Sequence, residues 1–362
     1  MKLSFMAVAT SLLSGGLSTD HRVARQSGPK RAGITCSMRL GPIALLSSIT
    51  AVMMLASVVN VAGEGATAEP ISPVPSPIAL DERKILLGRD LFTDSRLSSG
   101  NGVACASCHM LEKTLADGLA VSRGLPDHPG LVNTPTLFNV ALSAKFNWSG
   151  KYLTLEEQAD MVVENPRTMG GKWDEILSTL GSDTRVVASF NELYPDGITR
   201  KNVIDAIVQF EKSLLTPNAP FDRYLKGDDK AISPQAAAGY SLFKSYGCAS
   251  CHQGVNVGGN MLQVFGIFGT PDGAALGEET PGSATNSGIA HEKPVFRVPP
   301  LRNVEKTAPY FHDGSARTLK DAINVMAGYQ LGRQISETDV AKLEAFLNSL
   351  TGEYQGAPVG TR

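Results

Sequence analysis

Cys105-Ala106-Ser107-Cys108-His109 returns 143 residues later as Cys248-Ala249-Ser250-Cys251-His252. Both are C-x-x-C-H, the pattern of covalent c-type haem attachment. Two thiols one short turn apart can add to the two vinyl groups of a porphyrin, and the adjacent histidine is then held beneath the iron as proximal ligand. Two such pentapeptides arise by chance in about 1 in a million chains of this length and composition. The alternatives are a zinc site built from two C-x-x-C elements, which needs no histidine at this place in both, and a thioredoxin-like redox pair. The spacing therefore predicts two covalently bound c-type haems.

Working outward, Lys84 to Phe92 before the first motif and Gln235 to Phe243 before the second are similar amphipathic stretches ending in an aromatic residue, the mark of a duplicated unit. Asp81 and Ser233-Pro234 suit the starts of those helices, since a side-chain oxygen or a proline fits the unpaired first turn. Thr154-Leu155-Glu156-Glu157 has the capping-box pattern and opens a helix to about Glu164. Further helices are predicted over Arg200–Leu215, Leu319–Ala327 and Ser336–Leu350. No alternating strand pattern persists, and Asn256 to Pro294 reads as a glycine-rich irregular stretch. The expected class is all-α, mainly helical, with the 36 glycines and 21 prolines of the 362 residues in long irregular loops around the cofactors.

The 33 basic residues nearly balance 35 acidic ones, so no global field attracts phosphate, which argues against a nucleic-acid partner. Residues 1–68 are unlike the rest, with six basic and two acidic residues. Met38-Arg39, the apolar run Pro42–Ala62 and the small-x-small site Ala66-Thr67-Ala68 read as a signal peptide over 38–68. Cleavage is expected ahead of retention as a membrane anchor, because the serines and Asn60 make a weak span. Residues 1–37, Cys36 included, would then be an over-long start or an extra segment. Export to the periplasm agrees with haem attachment outside the cytoplasm, where free thiols would be oxidised. Removal of residues 1–68 leaves 27 basic and 33 acidic residues, a formal −6.

Five segments point to a family. They are Asn133-Thr134-Pro135-Thr136-Leu137, Leu155-Glu156-Glu157-Gln158-Ala159, Pro220 to Asp229, Gly247 to His252, and Pro300-Leu301-Arg302-Asn303-Val304 through Thr307-Ala308-Pro309-Tyr310-Phe311-His312-Asp313-Gly314. From about residue 80 to 353 the chain resembles the bacterial di-haem cytochrome c peroxidases and the broader group that includes the methylamine-utilisation di-haem enzymes. The resemblance implies two cytochrome c-like domains, 78–217 with a peroxidatic haem and 218–355 with an electron-transfer haem. It implies reduction of hydrogen peroxide by electrons from a small donor protein, a cytochrome c or a cupredoxin. Dimers are common among such proteins, so a homodimer is a further expectation.

On the family pattern His252 and Met326 ligate the second haem, and the soft thioether raises its potential by favouring ferrous iron; core packing is the ordinary alternative for a methionine. Met261 stands too close to His252 along the chain to reach the opposite face. Trp148 matches the tryptophan between the haems, although Ser149-Gly150-Lys151 departs from the usual Asp-Gly-Arg; a buried indole with a satisfied N–H is the plain alternative. Asn133, Thr307 and the carbonyl of Pro309 match a calcium site, a donor set suited to a hard cation.

The peroxidatic end departs most. Leu125 stands where many relatives carry a haem-capping histidine, with His128 three residues on, and Thr168 stands where they carry a glutamate. Gln158 remains and can hydrogen-bond, but an amide cannot take a proton as a carboxylate does. Three arrangements of the first haem's sixth position stay open: a free face beside Leu125, capping by His128, or ligation by Met169. A histidine in a Pro-Gly loop is ordinarily solvated. His312 reads as an anchor of structure or of a propionate, and His291 as surface. The rival to a peroxidase is a di-haem electron-transfer protein, or a di-haem oxidase of the methylamine-utilisation type.

Overall fold

Each C-x-x-C-H motif follows a helix that crosses a later helix at unusually close range. A computed structural model describes residues 69–361 except 77, 78, 126, 129 and 270–293. The expected signal segment, Cys36 and His291 lie outside the described residues. Helix α1, Glu82–Phe92, begins where the Asp81 side chain accepts from the Arg83 N–H. It packs on α6, Arg200–Lys212. Helix α8, Pro234–Ser245, is capped by Ser233 and packs on α10, Glu337–Asn348, capped by Ser336. The two pairs share one device. A Cβ on Gly88 would collide with the Ala206 carbonyl, and one on Gly239 with the Lys342 carbonyl, with the Cβ atoms of Phe210 and Phe346 each at 3.0 Å. Only glycine lets the backbones approach so closely.

The intervening elements are a single turn α2, Cys105–Cys108, then α3, Leu155–Glu164, α4, Trp173–Gly181, α5, Thr184–Leu193, α7, Pro220–Leu225, and α9, Leu319–Val325. One apolar core gathers α1 with α3 to α6 around Phe92, Trp173, Phe190 and Phe210. The second gathers α7 to α10 around Phe221, Tyr240, Phe243 and Phe346. Two segments cross between them: Ile71 is buried in the second core and Val359 in the first. The described residues form one compact unit. None of their helices is long and apolar enough to cross a membrane.

A second duplication ties the cores together. Asn139 and Asn303 both adopt left-handed backbone, φ 60° in each, a conformation asparagine tolerates better than most residues. Asn139 Nδ2 donates to Thr216 Oγ1 at 2.6 Å and Asn303 Nδ2 to the same oxygen at 3.0 Å. Thr216 and both asparagines are fully buried, so one hydroxyl serves two equivalent loops.

The mainly helical class holds, and the details differ where tertiary bonds compete. The third predicted helix stops at Lys212 rather than Leu215, because the Leu214 carbonyl accepts from Asn139 N. The helix from Leu319 keeps α geometry to Val325 and then widens into a π-helical turn, Met326–Gln330. Helices α4, α5 and α7 were not anticipated. Within the glycine-rich stretch a short strand β1, Leu262–Val264, pairs antiparallel with β2, Val295–Arg297. A second antiparallel pair, β3 (Glu353–Tyr354) and β4 (Ala357–Pro358), follows α10.

Candidate functional site

The two pentapeptides fold alike. His109 N donates to the Cys105 carbonyl at 2.9 Å, and His252 N to the Cys248 carbonyl at 2.9 Å. A phenyl ring in the last turn of each preceding helix lies 6.4 Å from its histidine, Phe92 from His109 and Phe243 from His252. His109 Nδ1 faces the Leu115 carbonyl at 3.0 Å. A carbonyl only accepts, so Nδ1 carries the proton and Nε2 keeps its lone pair for a metal. His252 Nδ1 is buried without a closed hydrogen bond, and its nearest acceptors belong to the Val257 and Pro299 backbone. Burial lowers the pKa of His109 and takes that of His252 down to about 4. Both imidazoles are therefore neutral, the form that ligates iron.

The cysteines fit thioether attachment better than thiolate ligation. Burial pushes the Cys105 thiol up to about 12 and the Cys248 thiol up to about 11, whereas a carbon–sulfur bond places no charge there. All four motif cysteines are unpaired. Among the described residues no three His, Cys, Asp or Glu side chains converge as a zinc cluster requires.

Both motifs open on one continuous cavity. Its walls are mainly apolar and are drawn from the surroundings of both motifs. The apolar walls, the two attachment motifs in one lining and the two neutral histidines fit a pair of porphyrins. Met326 lines the cavity from the first position of its π turn. That turn is clamped by the end of β1 and the residues just after it: Gly266 N donates to Gln330 Oε1 at 2.9 Å, and Gln330 Nε2 to the Val264 carbonyl at 3.0 Å. Met261 is not among the lining residues; its carbonyl accepts from Val298 N.

Gln158, Thr168 and Met169 line the cavity near the first motif, where Met169 Sδ lies 3.9 Å from Cys105 Sγ. The Gln158 amide has no bond within the described protein. The Thr168 hydroxyl is occupied with the Val162 carbonyl at 2.6 Å. Leu125 sits 3.1 Å from where a Cβ on Gly170 would stand, and His128 is exposed and outside the lining. Glu211 went unnoticed in the sequence. It is buried in the cavity wall beside Cys105, its Oε2 has no partner, and burial, then the charge of Glu156, raises its pKa to about 8.

Trp148 lines the cavity too, 8% exposed, with Nε1 donating to the Asn133 carbonyl at 2.8 Å. The indole therefore meets the plain expectation of a satisfied N–H while standing in the wall that both motifs share. His312 stacks on Phe296 with centroids 4.4 Å apart and does not line the cavity. Asn133, Thr307 and Pro309 do line it. Arg297, also unnoticed in the sequence, joins them; burial lowers its pKa to about 10, so it stays charged.

The di-haem cytochrome c peroxidase family model matches residues 82–230, and the cytochrome c model matches 236–351. The chain is 39% identical over 292 residues to cytochrome c peroxidase Ccp of Escherichia coli, an alignment covering 79% of this chain and 62% of that protein. It thus spans less than two thirds of that relative's length. Cytochrome c551 peroxidase of Pseudomonas aeruginosa is 37% identical over 303 residues, covering 80% of this chain and 88% of the relative. Among solved structures, a MauG-like protein associated with microbial copper homeostasis superposes with TM-score 0.67 at 26% identity, over 80% of this chain and 95% of the other.

Proposed function

The chain belongs to the di-haem cytochrome c peroxidase family, a family of oxidoreductases that implies two c-type haems, and we propose that it reduces hydrogen peroxide to water in the periplasm with electrons from a small redox protein. Overall, one peroxide, two electrons delivered singly and two protons give two waters. The observation that carries this reading is the single cavity lined by both C-x-x-C-H motifs with Trp148 in its wall.

Bound haem supplies an iron at which the O–O bond is split. The chain's own residues do the rest. Domain 78–217 holds the peroxidatic site and domain 218–355 the electron-receiving one. His109 and His252 would hold the two haem irons through neutral imidazoles, and Met326 would add a soft thioether at the second site. Gln158, with an uncommitted amide, orients peroxide by hydrogen bonding. The Leu125 side leaves the first site's distal face free, a reading supported by the exposure of His128. Trp148, fixed through Asn133, bridges the two sites. Asn133, Thr307 and the Pro309 carbonyl, which line the same cavity, would hold a calcium ion.

A second reading, a di-haem oxidase of the methylamine-utilisation type or a pure electron carrier, is favoured by one observation: the Thr168 hydroxyl is tied to the Val162 carbonyl and offers no base. Mixing the reduced protein with stoichiometric peroxide separates the two. Reoxidation of the Soret band and turnover of a reduced cytochrome donor are expected; no reoxidation ends the peroxidase reading.

A further inference from the structure

Among the described residues two guanidinium groups are deeply buried, and they are treated differently. Arg302, 1% exposed, has Asp222 at 2.6 Å. Arg297, 6% exposed, has no carboxylate within ion-pair distance among the described residues. Its backbone N donates to the Trp148 carbonyl at 2.8 Å and its Nε to the Asn147 carbonyl at 2.9 Å. Those two bonds fix the side chain and leave Nη1 and Nη2, which make no hydrogen bond among the described residues, at the wall of the cavity that Arg297 lines. A buried cation without a counter-charge is strongly unfavourable. The cost is removed if the cavity's occupant brings the anion, and a planar fork of two N–H donors matches a carboxylate.

We propose that Arg297 binds a propionate carboxylate of one of the two haems through Nη1 and Nη2, and that its charge raises that haem's reduction potential. The inference rests on the two-haem reading of the family and not on peroxide as substrate. A cation beside the porphyrin disfavours the more positive ferric state. Its removal, which also leaves the propionate uncompensated, shifts the balance toward ferric iron.

The test is an optical redox titration of the holoprotein, with two haems per chain verified, for wild type, Arg297→Lys and Arg297→Gln. Arg297→Gln is expected to lower one midpoint by a factor of about ten in the ferrous/ferric balance, ~59 mV for a one-electron couple. Arg297→Lys keeps the charge and should retain most of the wild-type value. Unmoved midpoints in Arg297→Gln, or equal midpoints in the two variants, would overturn the assignment. So would a wild-type midpoint that moves with added inorganic phosphate while that of Arg297→Gln does not, since a free anion would then be the ligand. If Arg297→Gln loses haem, the redox-difference infrared spectrum of Arg297→Lys decides: the propionate carboxylate bands should shift, and unshifted bands overturn the proposal. Peroxide turnover on the same samples tests the peroxidase reading separately.

Discussion

Trp148 and His312 meet edge to face, ring centroids 6.3 Å apart and planes at 70°, and they hold matching places in two copies of one turn. Phe146-Asn147-Trp148-Ser149-Gly150 corresponds to Tyr310-Phe311-His312-Asp313-Gly314. The second residue is left-handed in both, φ 69° at Asn147 and 71° at Phe311, and so is the glycine, φ 63° and 64°. The contacts are exchanged: Arg297 N donates to the Trp148 carbonyl and Asn133 N to the His312 carbonyl. Asn133 and Arg297 are themselves equivalent, 164 residues apart like Trp148 and His312.

Trp148→Phe keeps an aromatic ring and removes the donor to the Asn133 carbonyl. Stability should fall by about 1 kcal/mol, one ordinary hydrogen bond. If the indole bridges the two sites, donor-driven peroxide turnover should fall about tenfold, ~1.4 kcal/mol on the barrier. Stopped-flow reduction of each site checks this; unchanged transfer between the sites would remove Trp148 from the relay.

Gly88→Ala and Gly239→Ala should each destabilise by about 3 kcal/mol, since the new methyl meets a helix backbone that must move apart. Denaturant unfolding measures the loss. The paired result matters, because both crossings use the same carbonyl-on-glycine contact.

Thr216→Val removes the acceptor shared by the Asn139 and Asn303 amides and leaves two buried N–H groups unpaired. At about 1–3 kcal/mol for each unsatisfied group, a loss of roughly 3 kcal/mol is expected in thermal unfolding. Thr216→Ser, which keeps the oxygen, should recover most of it.

Glu211 has a folded pKa raised to about 8 by burial and by Glu156, with Lys212 opposing. The native state holds a proton that the unfolded chain releases above the ordinary carboxylate range. Its contribution is therefore fully present at low pH and lost as pH rises to about 8, at no more than ~1.4 kcal/mol per pH unit. Glu211→Gln should flatten the wild-type decline between about pH 5 and 8, read as denaturation midpoints in a pH series; parallel curves would contradict it.

Met326→His should lower the second haem's midpoint, because a more basic ligand favours ferric iron. Potentiometry with optical detection reads it, and an unchanged midpoint would show that Met326 is not the sixth ligand.

Local chemistry made much of this legible in advance. Asp81, Ser233, Thr154 and Ser336 announce helix starts because a cap is a short-range bond between neighbours, and the pentapeptides carry their chemistry in five consecutive residues. What escaped is long-range. Nothing near Leu214 reveals that Asn139 will take its carbonyl and end α6. Glu211 looks like one more charged residue near a helix end, and Arg297 like one polar residue in a short strand. Their meaning comes from burial in a cavity wall assembled from both halves. Gly88 and Gly239 lay within the similar stretches, but only the opposing carbonyls explain them.

The exchanged bonds Asn133 to His312 and Arg297 to Trp148 have the contact logic of an isologous interface, in which residue i of one copy meets j of the other and j meets i. A side chain close to the two-fold axis of such a dimer touches its own counterpart, as Trp148 touches His312. The polypeptide is in this sense a symmetric pair written end to end. The copies differ at this very contact, tryptophan against histidine and asparagine against arginine, so the symmetry is broken close to the axis.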